Sequence, residues 1–112
     1  MLEKNLITRI KKDLKAEAKA RGHGIKVEKH HGSIYGTAGH PDLYGSYLGA
    51  SFVIEGKVNK NVLTAKQIFE LRSWDEDGGA FWGIARETFN AAAFFDLIEM
   101  HLEQMAKRFN RK

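Results

Sequence analysis

The chain has 112 residues, 43% of them hydrophobic and 29% charged, which is the composition expected of one globular domain with a single modest core. It contains no cysteine, which excludes disulfides and thiolate zinc sites, and no run of about 18 apolar residues, so no membrane-spanning helix is expected. The net charge of +4 and the pI near 9.4 favour a polyanionic partner such as nucleic acid, although many small domains are mildly basic.

Residues 2–21 are predicted to form an amphipathic helix. Apolar residues recur in it at spacings of three and four, namely Leu2, Leu6, Ile7, Ile10 and Leu14. Gly22 and Gly24 end the helix, and residues 25–31 alternate weakly, as a short strand does. The glycine-rich residues 32–40 are expected to form a loop. Because the charged N-terminus is unlike a secretory signal and cysteine is absent, we expect an intracellular protein.

A β-hairpin is predicted for residues 42–47 and 50–57. Its second arm contains three consecutive strong strand formers, Phe52, Val53 and Ile54. A tight turn at residues 48–49 would pair Tyr47 with Ala50, and this pairing sets the register of the hairpin.

Three further elements complete the predicted fold. Residues 64–77 form a helix, in which Thr64 and Gln67 match a capping box. The apolar run 80–85 is expected to be a buried strand, and residues 88–109 form a long last helix. The predicted order is α-β-β-β-α-β-α, a single α/β domain over the whole chain with a mixed central sheet flanked by helices. The last strand follows a helical crossover, so it should lie parallel to a neighbour.

The predicted hairpin brings two carboxylates together. Counting outward from the Tyr47–Ala50 pair places Asp42 directly opposite Glu55, where Cβ atoms are roughly 4.5–5.5 Å apart. Like charges in this arrangement destabilise a sheet, whereas a hard dication with oxygen ligands reverses that penalty. The pair therefore indicates a site for a divalent cation such as Mg²⁺.

Lys57 lies two residues after Glu55, on the same face of the strand, and can reach this site. It can orient or deprotonate a water molecule there, or neutralise charge on a phosphate. The alternative is a surface hairpin with an ordinary Glu55–Lys57 ion pair. Gly56 between them weakens the strand and indicates either a close approach on the opposite face or a bulge.

Glu3 is a candidate third acid. At 100° per residue it falls near the middle of the apolar arc of the first helix, and Glu17 lies inside the same arc. A carboxylate on a buried stripe is costly unless it is paired or binds a metal. The alternative is a frayed first turn, in which Glu3 lies in solvent and stabilises the helix dipole.

Taken in chain order, these residues resemble the PD-(D/E)XK nuclease superfamily and, within it, the virus-type replication-repair nuclease (VRR-NUC) domain. The matching segments are an acidic opening of the first helix at Glu3, then Gly39-His40-Pro41-Asp42 after a glycine-rich loop, Glu55-Gly56-Lys57 at the end of an apolar strand, and Leu63-Thr64-Ala65-Lys66-Gln67 at the start of a helix. A final apolar strand and helix follow. The sequence departs from the pattern at Gly56, where the family more often has an apolar residue, and at His40, where it more often has valine or isoleucine.

The resemblance implies a restriction-endonuclease-like core and a Mg²⁺- or Mn²⁺-dependent phosphodiesterase. It implies Asp42, Glu55 and Glu3 as metal ligands and Lys57 as the residue that serves the attacking water. Gln67 would touch the site or a phosphate, which is compatible with its alternative role in a capping box. The resemblance also implies a homodimer that acts on branched DNA such as Holliday junctions in replication or repair, in a bacterial or phage-infected host cytoplasm.

DNA contacts are expected around this site. The candidates are Lys26, Lys29, Ser33, His40 and Lys66. The two strand lysines can equally be solvated, and Ser33 can equally belong to a plain loop. His40 adjoins the predicted acids, so a supporting contact or a DNA contact is open to it.

The last helix is a candidate subunit contact. Its apolar residues recur at alternating three- and four-residue spacing, namely Phe95, Ile98, Leu102, Met105 and Phe109. Such a helix usually packs on its own sheet. This helix is long for the domain, however, so its far end can also contact a second subunit. A two-fold dimer would present two active sites to a branched duplex.

The sequence thus favours a metal-dependent DNA endonuclease. The alternative is a non-catalytic nucleic-acid-binding module with a nuclease-like fold, which holds DNA by lysine and arginine alone. The presence of Asp42, Glu55 and Lys57 together favours the enzyme, because a pure binder gains little from acids that face phosphate.

Overall fold

A four-stranded mixed sheet forms the centre of the fold, with helices on both faces. The computed structural model describes residues 2–30, 40–59 and 61–110, with side chains to residue 107. The elements are α1 (Glu3–Ala20), β1 (Ile25–Lys29), β2 (Leu43–Tyr47), β3 (Ala50–Gly56), α2 (Ala65–Glu76), β4 (Phe81–Ala85) and α3 (Ala91–Asn110). This is the predicted order, and none of the helices in the described residues is long and apolar enough to cross a membrane.

The strands lie side by side in sequence order, β1-β2-β3-β4. The first three are antiparallel, and β4 runs parallel to β3, as predicted for a strand that follows a helical crossover. Tyr47 pairs with Ala50 across the turn, which confirms the predicted hairpin register. Leu48 and Gly49 form this turn with positive φ angles of 53° and 82°, a combination that matches the twist of the two strands.

The main core lies between one face of the sheet and the helices α1 and α3. The apolar stripe of α1 is buried as predicted from Leu6 to Leu14, against Phe52 and Ile54 of the sheet, whereas Leu2, which the prediction included, precedes the helix and is 62% exposed. Phe95 of α3 stacks on the ring of Tyr47, with centroids 4.0 Å apart. Burying each such side chain contributes about 1.5–3 kcal/mol, so this layer holds α1 against β3.

Arg21 fastens the end of α1 to α3. Its guanidinium contacts Glu17 at 2.9 Å, Asp96 at 2.9 Å, and Glu99. Three carboxylates around one cation raise the pKa of Arg21 above its already high value, chiefly through the hydrogen bond to Glu17. The carboxylate of Glu17 on the apolar arc is therefore compensated by a charge partner.

The prediction that residues 80–85 form a buried strand is wrong for one face of that strand. β4 is an edge of the sheet, and its outward-facing Trp82 and Ile84 are 46% and 39% exposed. The apolar run is buried on the core side, where Ala85 is inaccessible, but α2 covers the opposite face only in part. The last helix begins at Ala91 and not at residue 88, because residues 86–90 form a turn.

Candidate metal centre

Three carboxylates meet where β3 ends. Glu55 lies near the end of β3, Asp42 lies one residue before β2, and Glu3 opens α1. One oxygen from each of them lies within 4.8 Å of the other two. The ladder pairs Leu43 with Ile54, so the next step of the register sets Asp42 opposite Glu55, as the hairpin count predicted.

Gly56 explains how Glu3 reaches this cluster. A side chain at this position would collide with Ile7, which lies one helical turn after Glu3. The glycine therefore allows the first turn of α1 to approach the end of β3, on the face opposite Glu55. Its backbone N–H also donates a 2.8 Å hydrogen bond to Asp42 Oδ2. The short distance to Ile7 confirms the predicted close approach at Gly56. Because α1 begins at Glu3 and a Glu3 carboxylate oxygen lies at the cluster, the alternative of a frayed first turn does not apply.

Glu55 is the most unusual side chain of the cluster. It is only 2% exposed, and its Oε1 accepts a 3.0 Å hydrogen bond from Gln67 Nε2. Its Oε2 is buried and has no hydrogen-bond partner among the described residues. Burial, followed by the nearby charge of Asp42, raises the pKa of Glu55 to about 8. A buried carboxyl with one unpartnered oxygen is costly in the folded state, and a cation would remove that cost.

Lys57 is also buried, at 8% exposure. Its backbone N–H donates to Ala85 O at 2.9 Å, which ties the end of β3 to β4. The charge of Lys57 acts on Glu55 in the opposite direction from Asp42 and lowers the pKa of that carboxyl. The alternative of a surface ion pair between Glu55 and Lys57 does not fit two buried side chains.

Gln67 has both of the roles that the sequence left open. Its Oε1 accepts a hydrogen bond from the Thr64 N–H at 2.9 Å, and its own N–H donates to Thr64 Oγ1 at 3.2 Å, which completes the predicted capping box. Its side-chain amide nitrogen is then free to donate to Glu55. One residue thus starts α2 and orients a carboxylate of the acidic cluster.

Comparison with known proteins identifies the fold. No protein-family model matches the sequence, and no curated protein matches it. A solved structure described as a VRR_NUC domain superposes with a TM-score of 0.54 over 82% of this chain and 92% of that chain, at 23% identity. This chain has the fold of a VRR_NUC domain.

A second solved structure is similar to a smaller extent. It is Hjc from Archaeoglobus fulgidus, described as a Holliday junction resolvase from an archaeal hyperthermophile, with a TM-score of 0.49 and 21% identity over 73% of this chain and 70% of that chain. The VRR_NUC fold confirms, at the level of architecture, the restriction-endonuclease-like α/β core that the sequence resemblance implied.

The structure of this chain also contains a loop clamp that the sequence did not reveal. Arg86 follows β4 and donates to the carbonyls of Asn59 and Asn61 at 3.2 and 2.9 Å. Glu87 accepts a 3.0 Å hydrogen bond from the N–H of Asn59, whose φ is positive at 55°. These contacts hold the connection between Lys57 and α2. The only signal in the sequence was a charged pair directly after an apolar strand.

Two of the predicted DNA-contacting residues lie close to the acidic cluster in sequence and register. Lys29 pairs with Leu43, the residue after Asp42. His40 lies two residues before Asp42, and its ring contacts that of His30 with centroids 4.5 Å apart. The His30 N–H donates to the carbonyl of Asp42 at 2.9 Å, so β1 helps to hold this segment.

The other three candidates differ in their positions. Lys66 is exposed in the first turn of α2, next to Gln67. Lys26 lies three residues before Lys29 along β1 and forms a 2.9 Å ion pair with Glu28. Ser33 lies outside the described residues.

The acidic cluster has the donors that a hard dication prefers. All its ligand atoms are carboxylate oxygens, as Mg²⁺ and Mn²⁺ favour. Glu55 Oε2 is buried and has no hydrogen-bond partner within the described part of the chain, and the pKa of its carboxyl is raised. Both features describe a site whose charges are compensated when a cation binds. The residues therefore fit a divalent metal.

Proposed function

We propose that this chain is a Mg²⁺- or Mn²⁺-dependent DNA endonuclease that hydrolyses phosphodiester bonds, with selectivity for branched DNA. One observation carries the proposal. A cluster of three carboxylates, one of them with a buried oxygen that no described residue hydrogen-bonds, lies beside a buried lysine at the end of β3. In a purely structural ion-pair network that oxygen would accept a hydrogen bond from a neighbouring side chain. In a metal site it stays available to bind the cation.

Asp42, Glu55 and Glu3 would hold the cation. When bound, the cation supplies charge stabilisation at a phosphoryl oxygen and at the departing oxygen of the substrate. Hydrogen bonds orient two of these ligands: Gly56 N–H donates to Asp42 Oδ2, and Gln67 Nε2 donates to Glu55 Oε1. Each bond fixes one carboxylate oxygen and the orientation of its group, as the outer contacts of metal sites do.

Lys57 would serve the reacting groups. Its ammonium would donate to the attacking water or to a phosphate oxygen, and the side chain is buried near enough to Glu55 for its charge to lower the pKa of that carboxyl. The charge of Lys57 stabilises the ionised form of Glu55, because it opposes the effect of Asp42 on the pKa of Glu55. The acids and the lysine therefore act as one unit.

DNA is the substrate that fits the charge of the chain and the surroundings of the site. The net charge is +4, Lys29 and His40 lie near Asp42 in register or in sequence, and Lys66 adjoins Gln67, which contacts Glu55. Lys26 and Ser33 remain proposed backbone contacts. The preference for branched duplexes rests on the resemblance to VRR-NUC domains, and a panel of substrates tests it directly.

The test is cleavage of a four-way junction, a flap and a linear duplex of matched sequence, in Mg²⁺, in Mn²⁺ and in EDTA. We expect cleavage only with a cation and faster cleavage of the branched DNAs. Asp42→Asn and Glu55→Gln keep the shape of the ligands and should lower the rate at least about a hundredfold. Glu103→Gln, which removes an exposed acid of α3, is the matched control and should leave the rate unchanged.

Metal binding is measured separately, by calorimetric titration of Mn²⁺ in the absence of DNA. Wild-type protein and the Glu103→Gln control should bind, and Asp42→Asn and Glu55→Gln should not. Cleavage that persists in both ligand variants would contradict the proposal. DNA binding that needs no cation and never leads to cleavage would favour the non-catalytic binding module.

A further inference from the structure

All the lysines of α1 lie on one side of the helix. At 100° per residue they fall within an arc of about 100°, which is separate from the buried apolar stripe. The lysines of this arc, which we call the α1 lysine face, are Lys4, Lys11, Lys12, Lys15 and Lys19. Lys11 is half-buried and the others are exposed. At 1.5 Å per residue, the face is about 22 Å long.

The acids of α1 lie on the other side of the helix, and each of them has a role there. Asp13 lies 3.7 Å from Arg9, and Glu17 lies 2.9 Å from Arg21. Glu3 belongs to the acidic cluster. The lysines, in contrast, form no ion pair with any residue that the structure describes. The charges of α1 are therefore segregated, with one side positive and without internal compensation.

This segregation has a cost in the free protein. Lys11 and Lys15 are four residues apart, as are Lys15 and Lys19, and like charges at this spacing destabilise a helix. A helix surface that served solubility alone would alternate charges of both signs. A polyanion bound along the face would replace this repulsion with attraction, so the face indicates a polyanionic partner.

β1 adjoins the α1 lysine face and extends it. Its Lys26 is exposed and forms a 2.9 Å ion pair with Glu28. This ion pair lowers the pKa of Glu28, and the charges of Lys11 and Lys15 lower it further. The lysines of α1 therefore lie on the side of the helix that faces β1, and Glu28 lies at the border of the positive surface.

We propose that the α1 lysine face binds the phosphate backbone of a DNA duplex and leads one arm of the substrate away from the candidate metal centre. Lys4 directly follows Glu3, so the face begins at that centre and ends at Lys19. Its length corresponds to about six base pairs at 3.4 Å per pair. The proposal rests on the proposed function, because it takes the DNA that is cut at the metal centre as the partner.

The composition of the surface favours duplex DNA over other polyanions. Sites for single-stranded nucleic acid stack bases on aromatic rings, whereas α1 and β1 contain no aromatic residue. A lysine-rich helix on a membrane inserts its apolar side into the lipid, but Leu6, Ile10 and Leu14 of α1 are fully buried in the core. Lysine ammonium groups contact phosphates without reading bases, so this contact should be independent of DNA sequence.

The test is the binding of a fluorescein-labelled duplex of about 30 base pairs, followed by anisotropy in EDTA between about 50 and 200 mM KCl. The variant Lys15→Gln/Lys19→Gln removes two exposed charges far from the metal centre and keeps the helix propensity. We expect the slope of log K against log salt to fall by about two and the affinity at 50 mM KCl to fall at least about tenfold. The matched control is Arg72→Gln/Lys107→Gln, which removes the same charge from exposed positions on α2 and α3 and should leave the slope unchanged.

A variant with the opposite expected sign tests the position of the surface. Glu28→Gln removes the acid at its border and frees Lys26 for a phosphate, so the slope should rise by up to about one and binding should tighten. Glu103→Gln makes the same change of net charge on α3 and should leave binding unchanged. Circular dichroism melts establish that each variant is folded.

Three results would overturn the proposal. The first is an equal loss of slope in the lysine variant and its matched control, which would reduce the effect to net charge. The second is duplex binding by the lysine variant that equals that of wild-type protein; if wild-type protein also cleaves DNA, the proposed nuclease stands without this surface. The third is lysine-dependent binding of a single strand of the same length, or of phosphatidylserine vesicles, in preference to the duplex. Lysine-dependent duplex binding without cleavage in any metal would support this surface and contradict the proposed nuclease.

Discussion

Gln67 Nε2 donates a 3.0 Å hydrogen bond to Glu55 Oε1, and through it the first turn of α2 is joined to the candidate metal centre. The same side chain closes the capping box with Thr64 through its other polar atom, Oε1. The start of the helix and the orientation of a ligand are therefore set by one residue. The two roles can be separated by substitution, because each uses a different atom.

Thr64→Ala and Gln67→Leu should have different effects on metal binding. Both disrupt the capping box, which should lower the free energy of unfolding by about 1 kcal/mol. Only Gln67→Leu also removes the donor from Glu55, which leaves both oxygens of a buried carboxylate without a partner. We expect Mn²⁺ affinity at pH 7 to fall by about 10–100-fold in Gln67→Leu and to be unchanged in Thr64→Ala. Equal losses of affinity would show that the contact acts only through helix stability.

The raised pKa of Glu55 predicts how the metal-free protein responds to pH. The folded-state pKa is about 8 and the ordinary value is 4.5, so between these values the unfolded chain has released a proton that the folded chain keeps. The contribution of Glu55 to the free energy of unfolding therefore falls as pH rises from about 5 to 8, by at most about 5 kcal/mol, and stays constant above about pH 8. Added Mg²⁺ should stabilise the protein more at pH 8 than at pH 6, because it binds the ionised carboxylates.

The measurement is urea unfolding in EDTA across this pH range, with wild-type protein compared with Glu55→Gln. The neutral amide cannot titrate, so the difference in unfolding free energy between the two proteins should follow the pKa of Glu55. Glu55→Gln should be the more stable protein at pH 8. Glu103→Gln removes an exposed acid and should follow the wild-type curve. A difference that does not change with pH would refute the assignment of the raised pKa to Glu55.

Regular spacing explains how much of this site the sequence could predict. Side chains alternate strictly along a strand, so the turn pair Tyr47–Ala50 was enough to set Asp42 opposite Glu55. The helical period likewise set Glu3 on the apolar arc of α1, with a solvated first turn as the alternative. The pairing of these acids and the capping box therefore follow from the order of the residues alone.

Other features depend on the packing of distant segments. The exposure of Trp82 and Ile84 could not be predicted, because an apolar run does not reveal whether a helix covers both faces of its strand. The clamp of Arg86 was missed because its acceptors are backbone carbonyls, which leave no pattern in the sequence. The contact between Gln67 and Glu55 could not be predicted either, because it depends on the angle at which α2 packs on the sheet.

Gly56 and Ile7 should be energetically coupled. A methyl group at position 56 would collide with Ile7 Cδ1 in a buried layer, so Gly56→Ala should lower the free energy of unfolding by about 1–3 kcal/mol. Ile7→Val removes that carbon and should cost about 0.5–1.5 kcal/mol alone. The double variant should be more stable than the sum of the two losses predicts.

Chemical denaturation of the four proteins in this cycle gives the coupling energy. Gly24→Ala is the control, because a side chain there meets nothing within 4 Å and the backbone angle is ordinary. It should be close to neutral. Strictly additive losses for Gly56→Ala and Ile7→Val would mean that the glycine serves the strand backbone and not the approach of α1.

Arg86 should act on activity by positioning the loop between Lys57 and Gln67. Arg86→Ala removes two hydrogen bonds to loop carbonyls and should lower the rate of cleavage at saturating DNA by about tenfold, with little change in DNA affinity. Arg86→Lys keeps the charge and one donor direction and should restore part of the rate. The decisive measurement is the dependence of DNA affinity on salt. A residue that contacts phosphate reduces the slope of log K against log salt by about one when it is removed, whereas a positioning residue leaves the slope unchanged.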